Sequence, residues 1–147
     1  MERFETFTVL IAKVSRAIRR IKTEEMAEFK LKSPHVSCLY YLYLKGPLTA
    51  KELGEVSAED KAALSRSVEY LEKAGLIEPS SGDKKRYKTP LTLTEKGAAV
   101  GKRISEKVDG VVATAGSDMT EEERIVFYRC LTRISDRLQT ICDEYDS

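Results

Sequence analysis

Phe4, Phe7, Ile11, Val14, Ile18 and Ile21 stand three, four, three, four and three residues apart. That is the seam that seats one helix against another, and any fold of this chain must give it a helical partner. Leu10 and Ala17 widen the seam, and Lys13, Arg16, Arg19, Arg20 and Lys22 form the polar face. The spacing returns at the other end, where Phe127, Leu131, Ile134, Leu138, Ile141 and Tyr145 run four, three, four, three and four apart. Thr120 or Asp118 is expected to cap that helix, with Glu121 to Glu123 at the positive end of its dipole. Between them, after Gly97, a further helical stretch carries Val100, Ile104, Val108 and Val111 on one side. Each buried apolar side chain is worth roughly 1.5–3 kcal/mol, and a chain of 147 residues has few internal partners for three such stripes. The economical arrangement is a homodimer whose N- and C-terminal helices pack about a two-fold axis, rather than a monomeric bundle. Its expected seam is Phe4, Phe7, Ile11, Val14 and Ile18 with Phe127, Leu131, Ile134, Leu138 and Ile141.

The centre reads differently. Ser33-Pro34 is a helix start, with Ser as cap, and SPHVSCLYYLYLK is expected to bury Val36, Leu39, Tyr40 and Tyr43 before stopping at Gly46-Pro47. Thr49 caps a short helix with Leu53 inward, a turn follows at Ser57-Ala58, and a longer helix turns Leu64, Val68 and Leu71 inward until Gly75. LIEPS, the tip SGDKK and RYKTPLTLT then read as a hairpin, with Pro90 at an edge or an irregular strand. The expected fold is mainly α with a small β-wing. Residues 33–97 form a winged helix-turn-helix lobe, and 1–32 with 98–147 form a helical dimerisation domain.

The outward face of the 60–74 helix presents Ala62, Ala63, Ser65, Arg66, Glu69, Tyr70 and Lys73, with Lys61 at its start. Small side chains let a backbone approach a groove, Arg66 can fork onto a guanine edge or a phosphate, and Ser65 and Lys61 can donate to phosphates. The tip adds Lys84, Lys85, Arg86 and Lys88, four cations within five residues, where a wing reaches a phosphate backbone or minor groove. The expected partner is double-stranded DNA. The formal net charge of +1 does not oppose this, because it hides a gradient. Residues 1–48 carry +4, residues 49–97 sum to zero, and residues 98–147 carry −3. A chain of this kind is expected to avoid indiscriminate nucleic-acid binding.

DKAALSRSVEYLEKAGLI (60–77), the hairpin, and LTLTEKG (91–97) resemble the MarR family of bacterial regulators. The pair Ser65-Arg66, the helix exit Leu71-Glu72-Lys73-x-Gly75-Leu76 and Leu93-Thr94-Glu95-Lys96-Gly97 carry the resemblance most specifically. It implies an obligate homodimer on pseudo-palindromic DNA, with the 60–74 helix in the major groove and the 79–89 wing on the adjacent backbone or minor groove. It implies a transcriptional repressor relieved by a small aromatic or phenolic effector. The effector would sit in a crevice for which His35, Cys38, Tyr40, Tyr41 and Tyr43 are the candidate lining. One departure stands: the wing reads Asp83-Lys84-Lys85-Arg86, with the Asp displaced upstream and Lys85 in the slot that the family gives to Arg.

Other chemistries find little support. Three Cys (Cys38, Cys130, Cys142) without a CxxC pair and one His give no metal-ligand spacing, and no metal or other cofactor is expected. The resemblance to MarR regulators implies that a peroxide-sensing member carries its reactive Cys in the N-terminal helix, and this helix has none, so inert thiols in a reducing compartment are the default. No nucleophile elbow, phosphate loop or paired carboxylate points to an enzyme. No apolar run spans a bilayer and no signal peptide opens the chain, so a cytoplasmic location is expected. The alternative reading is a winged helix that docks protein rather than DNA.

Overall fold

The structure, a computed structural model, describes residues 3–79 and 88–147, except for the side chain of Phe4. Six α-helices lie within those residues: α1 Arg3–Glu25, α2 Ser33–Lys45, α3 Ala50–Ser57, α4 Lys61–Lys73, α5 Glu95–Ala115 and α6 Glu121–Tyr145. A single 3-10 turn, Ala27–Phe29, joins α1 to α2. The chain divides into two compact units, Met1–Val108 and Asp109–Ser147.

The first unit is built around α2, which packs against α1, α3 and α4, while α3 packs on α4 as the two halves of a helix-turn-helix. Leu39 of α2, Leu53 of α3, Leu71 of α4, Ile77 beyond it and Ile104 of α5 are fully buried and meet in one core with Met26 and Cys38. Local chemistry places each helix start. Thr49 and Glu52 close a reciprocal box at the head of α3, the Thr49 N–H donating to Glu52 at 3.0 Å and the Glu52 N–H to Thr49 Oγ1 at 3.2 Å. Ala58 takes the left-handed conformation at φ 55° and turns the chain towards Asp60. Asp60 caps α4 by accepting the Ala63 N–H at 2.8 Å. Gly75, at φ 74°, ends that helix.

Beyond Gly75 the chain pairs with the segment that leads into α5. Isolated antiparallel bridges join Ile77 to Leu93 and Leu48 to Leu91, and the Glu78 N–H donates to the Thr92 carbonyl at 2.8 Å. The remainder of the expected wing, including Asp83, Lys84, Lys85 and Arg86, lies outside the described residues. Thr94 ties the exit of α4 to the first turn of α5. Its N–H donates to the Leu76 carbonyl at 3.1 Å, its hydroxyl donates to the Gly75 carbonyl at 2.6 Å, and the same hydroxyl accepts the Gly97 N–H at 3.0 Å. Gly97 lies so close to Leu76 that a Cβ there would overlap the Leu76 carbonyl oxygen.

Three expectations change and one alternative is decided. Ser33 is the first residue of α2, not its cap; Lys32 holds the cap position in extended backbone and supplies no side-chain acceptor. Leu42 takes the core position expected of Tyr43, which is 37% exposed, and Tyr40 is only half-buried. The helix expected after Gly97 begins at Glu95, which brings Gly97 into its first turn. Of the two candidate caps for the last helix, Thr120 serves, accepting the Glu123 N–H at 3.1 Å.

The second unit contains the end of α5, a turn over the buried Gly116, and α6. No residue of the 25-residue α6 is buried. Phe127, Ile134, Leu138 and Ile141 are all exposed, as are Ile11, Val14 and Ile18 of α1; Phe7 and Leu131 are half-buried.

Candidate nucleic-acid interface

Helix α4 presents the face that its sequence predicts. Leu64, Ser67, Val68 and Leu71 are buried, while Lys61, Ala62, Ser65, Arg66, Glu69 and Lys73 are exposed and Ala63 is half-buried. Ala62 and Ala63 sit in the first turn, where the helix dipole favours an anion, and the Asp60 carboxylate already accepts the Ala63 N–H. Arg66 makes no ion pair with any described residue, so its guanidinium is free for an outside partner. Lys73 is held one turn from Glu69 at 3.2 Å, an exposed pair worth a few tenths of a kcal/mol. Tyr70 is less free than its neighbours. Its hydroxyl donates to the Lys30 carbonyl at 2.6 Å, and its ring stacks on His35 with centroids 4.1 Å apart and planes within 3°.

Between α3 and the start of α4 opens a cavity of about 590 Å³ lined by Ala50, Lys51, Gly54, Glu55, Glu59, Lys61, Leu64 and Lys88. Three lysines, Lys51 of α3, Lys61 of α4 and Lys88, share this lining with two carboxylates, Glu55 and Glu59. Lys51 was not among the cations expected to contact DNA. Its sequence signal was its place two residues after the Thr49 cap, on the first turn of the helix that precedes α4. Lys88 is exposed at the wing's root.

The five side chains expected to line an effector crevice, all on α2, have different surroundings. Cys38 is fully buried in the core. Burial pushes its thiol up to about 12, the Glu59 charge acts in the same direction, and a hydrogen bond with Ser67 partly opposes them. His35 is committed to Tyr70. Tyr40 and Tyr41 are half-buried and meet edge to face at 5.3 Å. Tyr43 borders a cavity of about 230 Å³ with Leu42, Gly46, Pro47, Leu91, Thr92, Leu93 and Ala98, and none of the other four lines it. A half-buried cation that the pattern did not single out for this region lies between α1 and α2: Lys22 donates to Ser37 Oγ at 3.0 Å. Burial lowers its pKa, and the charge of Glu59 raises it in part.

Cys130 and Cys142 are exposed free thiols. Among the described residues no cluster of three or more His, Cys, Asp or Glu is placed to hold a metal, and no helix is long and apolar enough to cross a membrane.

A helix-turn-helix whose second helix exits through Gly75 into an antiparallel pairing held by Thr94 matches a known arrangement in sequence as well as shape. The model described as MarR family matches residues 29–86, which include α2, α3 and α4. Residues 29–86 are a MarR-family segment. Over 113 residues the chain is 26% identical to an uncharacterized HTH-type transcriptional regulator, YwoH, of Bacillus subtilis (strain 168), covering 77% of this chain and 82% of that protein. The MarR likeness in fold extends beyond the segment. The MarR family regulator NMB1585 of Neisseria meningitidis superposes with a TM-score of 0.82 at 21% identity, over 98% of this chain and 99% of that one. MepR of S. aureus, solved in complex with DNA, superposes with a TM-score of 0.79 at 19% identity, over 93% of this chain and 99% of that one. The chain thus has the mainly helical winged-helix fold of MarR regulators.

Proposed function

We propose that this chain is a cytoplasmic, homodimeric transcriptional regulator that binds specific duplex DNA, and that it represses until a small aromatic or phenolic effector relieves it. The observation that carries the reading is the outer face of α4, where the unpaired Arg66 stands beside Ser65 and the small, exposed first turn of a capped helix. In this reading α4 enters the major groove. Lys61, Ser65 and Lys73 meet phosphates beside Arg66, while Lys84, Lys85, Arg86 and Lys88 meet the adjacent backbone or minor groove. Residues 33–97 are the DNA-binding lobe, and 1–32 with 98–147 pair two copies through the exposed seams of α1 and α6. A two-fold pair of such lobes needs half-sites about 34–36 Å apart, one turn of DNA.

The test is a gel shift on the DNA upstream of the chain's own gene, with a salt titration. Affinity should fall steeply with salt and differ between sequences, and Arg66→Ala should weaken it. Binding that is equally tight on every sequence, or indifferent to Arg66→Ala, Lys84→Ala and Lys85→Ala together, refutes the reading and favours a protein partner for the winged helix.

A further inference from the structure

The head of α2 is closed differently from the other helices of the lobe. Thr49 and Asp60 supply side-chain acceptors to α3 and α4, but Lys32, at the cap position of α2, has none to offer, and Pro34 has no N–H. His35, the third residue of α2, reaches back instead, and its Nδ1 accepts the Lys32 N–H at 3.1 Å. An accepting Nδ1 places the ring proton on Nε2 and requires a neutral imidazole. The same ring lies flat on Tyr70 of α4. The Tyr70 hydroxyl in turn donates to the carbonyl of Lys30, which is held in the left-handed conformation at φ 59°. The circuit closes on itself: the connection between α1 and α2, the head of α2, and the C-terminal half of α4 are joined through two aromatic rings.

We infer that His35 and Tyr70 are positioning residues, one unit that fixes α4 against the α1–α2 connection and so sets how the recognition helix is presented to DNA. The inference rests on the DNA-binding reading above. It moves Tyr70 from a direct DNA contact to a brace, because its hydroxyl is already committed to Lys30.

Protonation gives a readout that packing alone would not. Burial lowers the pKa of His35, and so does the Lys32 charge. On α4, Arg66 and Lys73 stand one turn either side of Tyr70, the latter paired with Glu69. A lowered pKa means that the folded state favours the neutral ring. The joint is complete above the ordinary His value near 6.5 and is lost as pH falls through the lowered value of the folded protein. An imidazolium would set an N–H against the Lys32 N–H.

The experiment is a double-mutant cycle on DNA affinity with the full chain, on a fragment that the wild-type protein selects, at pH 7.5 and at a pH below the His35 pKa read by NMR. His35→Ala and Tyr70→Phe should each weaken binding at pH 7.5 by about five- to tenfold, and the double variant by no more than the worse single. His35→Gln restores a neutral acceptor at the third position, so it should recover most of the affinity and flatten the wild-type loss at the lower pH. Losses that multiply in the double variant, or a His35→Gln pH profile identical to wild type, overturn the inference. His35 is the chain's one histidine, so its ring protons report its titration by NMR without assignment. Tyr70→Ala should raise that pKa towards 6.5, and an unmoved value overturns the joint itself. A wild-type protein without sequence preference overturns the regulator reading and the positioning role with it, while the titration still decides whether the joint exists.

Discussion

Replacing Gly97 by Ala sets two effects of known sign against each other. Gly97 lies in the first turn of α5 and is buried. Helix propensity alone favours Ala over Gly by about 1 kcal/mol. The surroundings oppose it, because the new Cβ would overlap the Leu76 carbonyl oxygen and lie 2.9 Å from its carbon and 3.3 Å from its Cα. These are backbone atoms, and the oxygen already accepts the Thr94 N–H at 3.1 Å. Making room means displacing that carbonyl, which costs about 1–3 kcal/mol in overpacking and about 1 kcal/mol for the strained hydrogen bond. The net expectation is a loss of about 2 kcal/mol, or a Tm lower by about 4–8 °C for a chain of this size. Gly110 is the control within the same helix: it is exposed, and a Cβ there would meet nothing within 4 Å. Gly110→Ala should therefore follow propensity and stabilise by about 0.5–1 kcal/mol. Urea unfolding of both variants, at one protein concentration so that association does not enter, reads the pair directly. If Gly97→Ala is as stable as wild type, the close approach of α5 to Leu76 is not a constraint and the reasoning fails.

Other expectations follow from single features. With its thiol pushed up to about 12, Cys38 should resist a thiol reagent at pH 8 in the folded protein, while Cys130 and Cys142 react; fast titration of all three would contradict the burial. Asp60→Ala removes the cap of α4 and should cost about 1 kcal/mol, with faster amide exchange confined to its first turn. Ala58→Gly relieves a left-handed alanine and should raise the unfolding midpoint modestly, despite the added freedom of the unfolded chain. Ile11→Glu or Leu138→Glu places a charge on the exposed seam of α1 or α6 and should yield a monomer by sedimentation, where a wild-type monomer would refute the dimer.

The lobe was legible wherever one residue type leaves a helix no choice. Thr49 and Gly75 gave the ends of α3 and α4, and Leu64, Val68 and Leu71 gave the inner face of α4, because their spacing admits one orientation. Helix α2 was harder. SPHVSCLYYLYLK is apolar on several faces, and a tyrosine suits either core or surface, so periodicity could not rank Leu42 above Tyr43. A neighbour across the fold made that choice, since Tyr43 packs on Gly101 of α5, where a Cβ would come within 2.8 Å of its own. The stack of His35 on Tyr70 was equally hidden, being a contact across 35 residues between two side chains that each had a simpler reading alone. Of the α4 face, the orientation was readable from spacing, but the engagement of Tyr70 depended on the backbone of Lys30, which no side-chain pattern encodes.

The hydrogen bonds at Thr94 have a mechanical meaning. They join the exit of α4 at Gly75 and Leu76 to the first turn of α5 through one side chain and its own amide, with Gly97 admitting no gap between the two backbones. A hinge needs residues that can change their dihedrals without losing partners, and none stands at this point. Any tilt of the first turns of α5 is therefore transmitted to the end of α4 with little play, and compliance must be found elsewhere in the lobe.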